Sequence, residues 1–354
     1  MFDKKESRYF HLPRVPAFLI LAAAGCLMVY GLLSIQYINE EKEKVGGGSD
    51  LELYETIVER IHAGEPYYEA AGGELRRRGY ATVPFFNWRL PTLASFLGYL
   101  PDVNIAYALM MAFGLAGIVL WEKYWVDQEG LLRAILGGLI LLPSCGFFFI
   151  KSAVFFHETW AGVLIFVSLG AYAQKKYHLC AGSAAAAVMV RELALFYLLM
   201  LIVFLTWRKL YRPALVGAAG AAAFLIYIWI HSQIVASLIT EEALSKSWVR
   251  FNGWPFVLTT ARPNGWLILL PHSVAAILIP LSVLGLIGWK SQFGALVAAA
   301  LLTYMAFFSI AGQYNNEYWG VMYISIILTG LLYAPRSIMD LLHALRPRRI
   351  ASDL

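Results

Sequence analysis

The run LCAGSAAAAVMVRELALFYLLMLIVFLTW, Leu179 to Trp207, decides the topology of this chain. It is apolar throughout except for Arg191-Glu192, which divides it in two. Each half is shorter than the roughly 20 residues that a helix needs to cross a bilayer. Read as a single crossing, the run places every later loop on one side; read as two short crossings or a re-entrant pair, it places them on the other. Charge chooses between the two. With the N-terminus inside and the run divided, the inner side collects Lys4, Lys5, Arg8, Arg14, Lys123, Arg133, Lys175, Lys176, Arg208, Lys209, Arg212, Lys290, Arg336, Arg346, Arg348 and Arg349. The short outer turns then keep only Lys151 and Arg191. A single crossing would put Arg208-Lys209 and Arg346 to Arg349 outside, against the preference of Lys and Arg for the cytoplasmic side. The run is therefore a pair.

Working outward from it, ten hydrophobic passes are expected: about 15–37, 103–121, 132–150, 157–174, 179–190, 193–207, 214–236, 271–289, 292–311 and 319–335. The composition agrees, with 60% hydrophobic and 14% charged residues, against roughly 25% charged in soluble domains. The fold class expected is an all-α integral membrane protein, a single polytopic domain over 1–354 with both termini cytoplasmic. The net charge of +5 is a topology signal rather than a nucleic-acid surface, because the basic residues lie between apolar segments. Cys26, Cys145 and Cys180 all fall inside apolar segments, with neither metal spacing nor a disulfide framework. Leu21 to Cys26 weakly resembles a lipoprotein cleavage box, but the apolar run continues past Cys26, so an uncleaved signal anchor is expected.

Two long loops face outside, 38–102 and 237–270, and a cytoplasmic tail covers 336–354. The first loop begins Gly46-Gly47-Gly48-Ser49-Asp50-Leu51-Glu52. Ser49 and Glu52 have capping-box spacing, and Tyr54, Ile57, Val58 and Ile61 follow at helical spacing. A helix lying on the membrane surface is expected from Asp50 to about Ala63, ended by Gly64. Asp50 stands either as an ordinary first-turn carboxylate answering the helix dipole or as a chemical group at the outer surface, where the preceding glycines let a substrate approach the backbone.

An acidic residue just after the first membrane helix, then a surface helix and the turn Gly64-Glu65-Pro66-Tyr67, resembles the GT-C superfamily of membrane glycosyltransferases. The short pair around Arg191-Glu192 is similar to the short fifth and sixth helices of that fold. The segments Gly64 to Tyr68, Pro84 to Pro91, His157 to Gly162, Arg191-Glu192 and Tyr318 to Leu341 resemble bacterial GT-C proteins linked to cell-surface glycopolymer formation. The resemblance covers most of the chain, although each motif is short. It implies transfer of a sugar from a polyprenyl-phosphate donor to a glycan or lipid acceptor on the outer face of the bacterial plasma membrane. It implies Asp50 as general base, with Glu52 as its nearest competitor. It also implies a second acidic position, Glu158, that helps to place substrate or a divalent metal; no cofactor is required by the pattern.

The remaining candidates come from the residues themselves. His157-Glu158 enters an apolar segment, where charge is costly and usually functional. Arg191 either pairs with a carboxylate at the hairpin tip or binds a lipid phosphate, which its planar fork suits. Arg89 and Arg262, single arginines among aromatics and prolines, are candidates to hold the departing phosphate. The Arg76-Arg77-Arg78 run reads as a solvated or headgroup-binding face. Tyr54, Tyr67 and Trp88 are candidate substrate contacts among aromatics that mostly form an interfacial belt. Asn316, in Asn315-Asn316-Glu317, is a candidate polar contact. No Walker motif, Gly-rich nucleotide loop or Asp-x-Asp motif occurs, which argues against a cytosolic nucleotide-sugar donor. The rival readings are a transporter or flippase of lipid-linked precursors, which should carry polar residues near mid-membrane, and a noncatalytic assembly subunit.

Overall fold

The structure, a computed structural model, describes residues 6–45, 50–240, 243–245 and 247–346. It is all-helical, 80% helix, with no strand among the described residues. The chain runs back and forth between two ends. One end gathers both termini: Ser7 N donates to Asp340 Oδ2 at 2.8 Å, Arg8 N to Gly288 O at 2.9 Å, and the Arg14 guanidinium to Arg346 O at 2.8 Å. The other end carries a cavity.

Helix α1 (Arg14–Leu33) buries only Ala17 and Gly31 and exposes Val15, Phe18, Leu19, Val29 and Leu33. An apolar helix with so little protein around it is solvated by lipid. Gly31 lets it approach closely, since a Cβ there would lie 3.0 Å from Ala276 Cβ. Helix α2 (Ile35–Val45) carries on beyond Ser34 with a charged composition. The expected glycines Gly46 to Gly48 and the N-cap Ser49, like Lys4, Lys5, Arg348 and Arg349, lie outside the described residues.

Helix α3 (Asp50–His62) matches the helix read from periodicity, burying Leu53, Tyr54, Ile57, Val58 and Ile61. Gly64 ends it at φ +97, a conformation that only glycine takes freely. Two further helices go beyond the sequence expectation: α4 (Tyr67–Arg77), started by Pro66, and α5 (Pro91–Tyr99), with proline at its first position. Helix α5 lies so close on α3 that a Cβ at Gly98 would be 2.5 Å from Ile61 Cγ2.

A buried carboxylate locks α4 to α3. Glu74 accepts from Arg60 at 2.9 Å, Arg77 at 2.5 Å and Arg78 at 3.1 Å. The Arg76 to Arg78 run is therefore not one solvated face: Arg77 and Arg78 serve this carboxylate, and only Arg76 is left exposed and without an ion pair among the described residues. Hydrogen bonds from Arg77, Arg78 and Arg60 hold the Glu74 carboxyl down at about 2. Glu52, expected to close a capping box with Ser49, which lies outside the described residues, pairs with Arg78 at 3.0 Å.

The bundle proper follows: α6 (Val103–Gln128), α7 (Leu131–Ser144), α8 (His157–Ala173), α9 (Tyr177–Val190), α10 (Leu195–Trp207), α11 (Tyr211–Leu238), α12 (Gly253–Ala261), α13 (His272–Gly288), α14 (Gln292–Ile310), α15 (Ile324–Ile327) and α16 (Ala334–Leu345). Among the described residues four helices, α1, α6, α11 and α14, are long and apolar enough to cross a membrane. Shorter apolar helices, α7, α9, α10 and α13, fill in between them. Helix α8 is the axis, buried on nearly all sides, as expected of a helix that is apolar all round. Its Gly162 admits the backbone of Val321.

The run 179–207 is broken as expected. Arg191 is extended (φ −140, ψ 117) between α9 and α10. A Cβ on Gly220 of α11 would touch Ala185, and Tyr227 shares Thr92 with Met189, so α11 runs parallel to α9. Gly217 of α11 meets Ile202 and Leu198 across the turn at Lys209, so α11 runs antiparallel to α10. The chain thus reverses at Arg191.

The apolar run 319–335 is not the regular helix its hydropathy suggests. It consists of 3-10 turns over Tyr314–Met322 and Thr329–Leu332 around the short α15, followed by a 53° bend into α16. Irregular backbone is tolerated at such depth only when protein surrounds it and supplies its hydrogen bonds. Here Asn264 Nδ2 reaches Ile324 O at 2.9 Å, Ser282 Oγ reaches Ile327 O at 2.5 Å and Thr329 Oγ1 reaches Ile326 O at 2.7 Å.

Because three arginines hold the Glu74 carboxylate, Glu74→Gln should lower stability by about 1–3 kcal/mol at neutral pH. A carboxyl held at about 2 rather than 4.5 stabilises fully above its unfolded value and loses that contribution as pH falls toward 2. Thermal melts of wild type and variant in one detergent should diverge above pH 4.5 and converge in acid; a constant offset would contradict this account of Glu74.

Candidate active site

At the end opposite the termini, α3, α4, α5 and the loop before α8 enclose a cavity of about 510 Å³. Its lining combines apolar Leu53, Ile57, Leu75, Leu93 and Leu97 with polar Asp50, Arg78, Tyr80, Asn87, Arg89 and Asn316. The segment between α11 and α12 closes over it. Thr82 N and Val83 N both donate to Leu244 O, at 2.9 and 3.1 Å, and Trp248 Nε1 donates to Asn87 Oδ1. Leu244, Ser245 and Trp248 therefore complete the wall.

Asp50 heads α3 with both carboxylate oxygens engaged. Tyr80 OH donates to Oδ1 at 2.8 Å and Tyr318 OH donates to Oδ2 at 2.6 Å. A carboxylate offers about four lone-pair sites, so two tyrosines leave room for a ligand proton. Arg89 lies beside it. Its Nε donates to Tyr54 OH at 2.9 Å and a terminal nitrogen donates to Tyr318 OH at 3.3 Å. Tyr67 OH donates to the Arg89 carbonyl and fixes the backbone. Among the described residues, Arg89 makes no ion pair at contact distance, and its hydrogen bonds go to neutral hydroxyls. Burial pushes the Tyr54 hydroxyl up to about 12, so it stays protonated.

The structure therefore brings together Asp50, Tyr54, Tyr67, Arg89, His157 and Asn316, all on one cavity. His157 is 3% exposed, and neither ring nitrogen has a hydrogen-bond partner; its ring meets Tyr54 edge-on at 5.5 Å. Asn316 also has a structural duty, since its Oδ1 accepts from Gln313 N at 3.2 Å.

Four candidates lie elsewhere. Trp88 is buried behind the wall, where its indole donates to Thr82 O at 3.1 Å and its ring packs where a Cβ on Gly72 would be. Arg262 does not face the cavity; its guanidinium spans the carbonyls of Leu267, Ile268 and Leu270 and so clamps the turn before α13. Glu158 and Arg191, both with fully buried side chains, face each other inside the bundle with Nε and Oε1 2.7 Å apart. Glu192 takes another Arg191 nitrogen, and Trp319 lies under the guanidinium at 5.3 Å. The ion-pair reading of Arg191 thus describes its surroundings, and neither Arg191 nor Glu158 lines the cavity. The sequence reading missed Tyr80 and Tyr318. Their only signal was aromatic composition, which the interfacial belt shares. Among the described residues, no three His, Cys, Asp or Glu side chains converge as a metal site, so the open option of a divalent metal has no ligand set there.

A buried pair of this kind penalises loss of one partner more than loss of both. Glu158→Gln should destabilise by about 3–5 kcal/mol, while the double replacement Glu158→Leu with Arg191→Met should recover much of that loss. Denaturant melts in micelles read this directly, and simple additivity of the two single losses would contradict it.

Comparison of the chain with protein-family models, with curated proteins and with solved structures finds no match.

Proposed function

We propose that this chain is a GT-C-like membrane glycosyltransferase. It takes a sugar from a polyprenyl-phosphate donor and passes it to a glycan or lipid acceptor at the extracytoplasmic face of the bacterial plasma membrane. The observation that carries the reading is the Asp50–Tyr318–Arg89 bridge, whose two charged ends line the cavity. A base and a cation without a contacting carboxylate, held in fixed register, are what displacement of a phosphate by a hydroxyl requires. Asp50 takes the proton of the acceptor hydroxyl as its oxygen bonds to the anomeric carbon. The bond from that carbon to the donor phosphate breaks, and its electron pair leaves on the phosphate oxygen toward Arg89. The apolar lining of the same cavity suits the lipid part of the donor.

The topology proposed has ten crossings with both termini cytoplasmic. Two observations support it. Joined termini require an even number of crossings, and the reversal at Arg191 divides the one ambiguous run. Arg76, Thr240 and Lys175 are exposed. In a Cys26→Ser background, Arg76→Cys and Thr240→Cys should react with an impermeant maleimide in intact cells. Lys175→Cys should react only after permeabilisation. Labelling of all three from outside would sink this topology.

Catalysis is tested with reconstituted protein and a panel of labelled polyprenyl-phosphate hexoses and pentoses, reading release of polyprenyl phosphate. Asp50→Asn should lower turnover about 10²–10⁴-fold. Arg89→Lys keeps the charge but loses the planar fork, and should cost about 10²-fold. If Asp50→Asn keeps more than about a tenth of wild-type turnover, less than about 1.4 kcal/mol of barrier, Asp50 is not the base. Donor moved intact across the bilayer without being consumed would favour a flippase instead.

A further inference from the structure

Tyr318 touches both halves of the site. Its hydroxyl donates to Asp50 Oδ2 at 2.6 Å and accepts from Arg89 at 3.3 Å. Its ring is held separately, packed on Phe156 at 5.2 Å. Tyr80 holds the other carboxylate oxygen but has no contact with Arg89 among its hydrogen bonds. The two tyrosines also come from opposite ends of the chain. Tyr80 follows α4, whereas Tyr318 lies in the 3-10 turns between α14 and α15.

We propose that Tyr318 is the positioning residue that sets the Asp50 carboxylate in register with the anion-binding guanidinium of Arg89. The inference rests on Asp50 being the base of the transfer. A carboxylate turns about its Cβ–Cγ bond unless both oxygens are held. With Tyr80 alone one oxygen is fixed, and the plane can tilt away from Arg89. With Tyr318 in place the lone pair that receives the acceptor proton keeps a constant distance from the phosphate that leaves. The chemical step depends on that distance, because misplacement by about 1 Å can cost 10²-fold in rate. Binding of the donor does not depend on it in the same way. Arg89 keeps its Tyr54 hydrogen bond at 2.9 Å and the backbone tie to Tyr67 whether or not the Tyr318 hydroxyl is present.

The test is Tyr318→Phe, which removes the hydroxyl and leaves the ring on Phe156, measured beside Tyr80→Phe, Asp50→Asn, Arg89→Lys and the Tyr318→Phe/Arg89→Lys double variant. The assay is release of polyprenyl phosphate from whichever panel donor the wild type consumes. For Tyr318→Phe, kcat should fall about 10–100-fold while donor KM stays within about threefold. Tyr80→Phe should cost less, and the double variant should be little worse than Arg89→Lys alone, since both changes break one register. A loss that falls in KM, wild-type kcat, or strict additivity of Tyr318→Phe with Arg89→Lys would overturn the assignment. If Tyr318→Phe is wild-type-like while Asp50→Asn is inactive, only the positioning role falls. If Asp50→Asn stays active, the base assignment falls first and takes this one with it. An unchanged thermal melt of Tyr318→Phe separates the expected loss from misfolding.

Discussion

A guanidinium that shares its hydrogen bonds between two tyrosines organises the cavity end of this protein. Arg89 reaches Tyr54 on α3 and Tyr318 far along the chain, while its own carbonyl is tied to Tyr67 on α4. Three separate stretches of sequence thus meet on one side chain. Among the described residues no carboxylate contacts the guanidinium directly. Asp50 sits one hydroxyl away and gives the same cavity a proton acceptor. Elsewhere the opposite policy holds: Arg60, Arg77 and Arg78 converge on Glu74, and Arg191 is enclosed by Glu158 and Glu192. Of the two arginines that line the cavity, Arg78 pairs with Glu52 and Glu74, whereas Arg89 has no contacting carboxylate among the described residues.

Much of this architecture was legible because it depends on local physics. Period-3.6 burial and a closing glycine define α3, and a charged dipeptide inside an apolar run marks the reversal at Arg191. Asp50 and Arg89 stood out as ionisable groups in an aromatic outer loop. What escaped depends on tertiary packing. Helix α5 is too short for periodicity to register, and α12 is buried all round from Pro255 to Ala261, so neither differs from a loop or an apolar patch in sequence. Hydropathy reports that 319–335 is dry but says nothing of its backbone geometry. The 3-10 turns there are possible only because Asn264, Ser282 and Thr329 answer their carbonyls. Arg262 looked like a ligand group because proline and aromatics flank it, yet the nearest acceptors are its own turn's carbonyls. Tyr80 and Tyr318 could not be separated from an interfacial belt without knowing which hydroxyls meet Asp50.

The pairing of the termini has a consequence in time. Helix α1 precedes α13 and α16 in the chain and packs on both, so it is made before the helices that cover it. Its foot is held through Arg14 by the carbonyl of Arg346. Until those later helices are made, α1 lacks most of its packing partners. Docking of α1 therefore waits on the synthesis of α13 and α16.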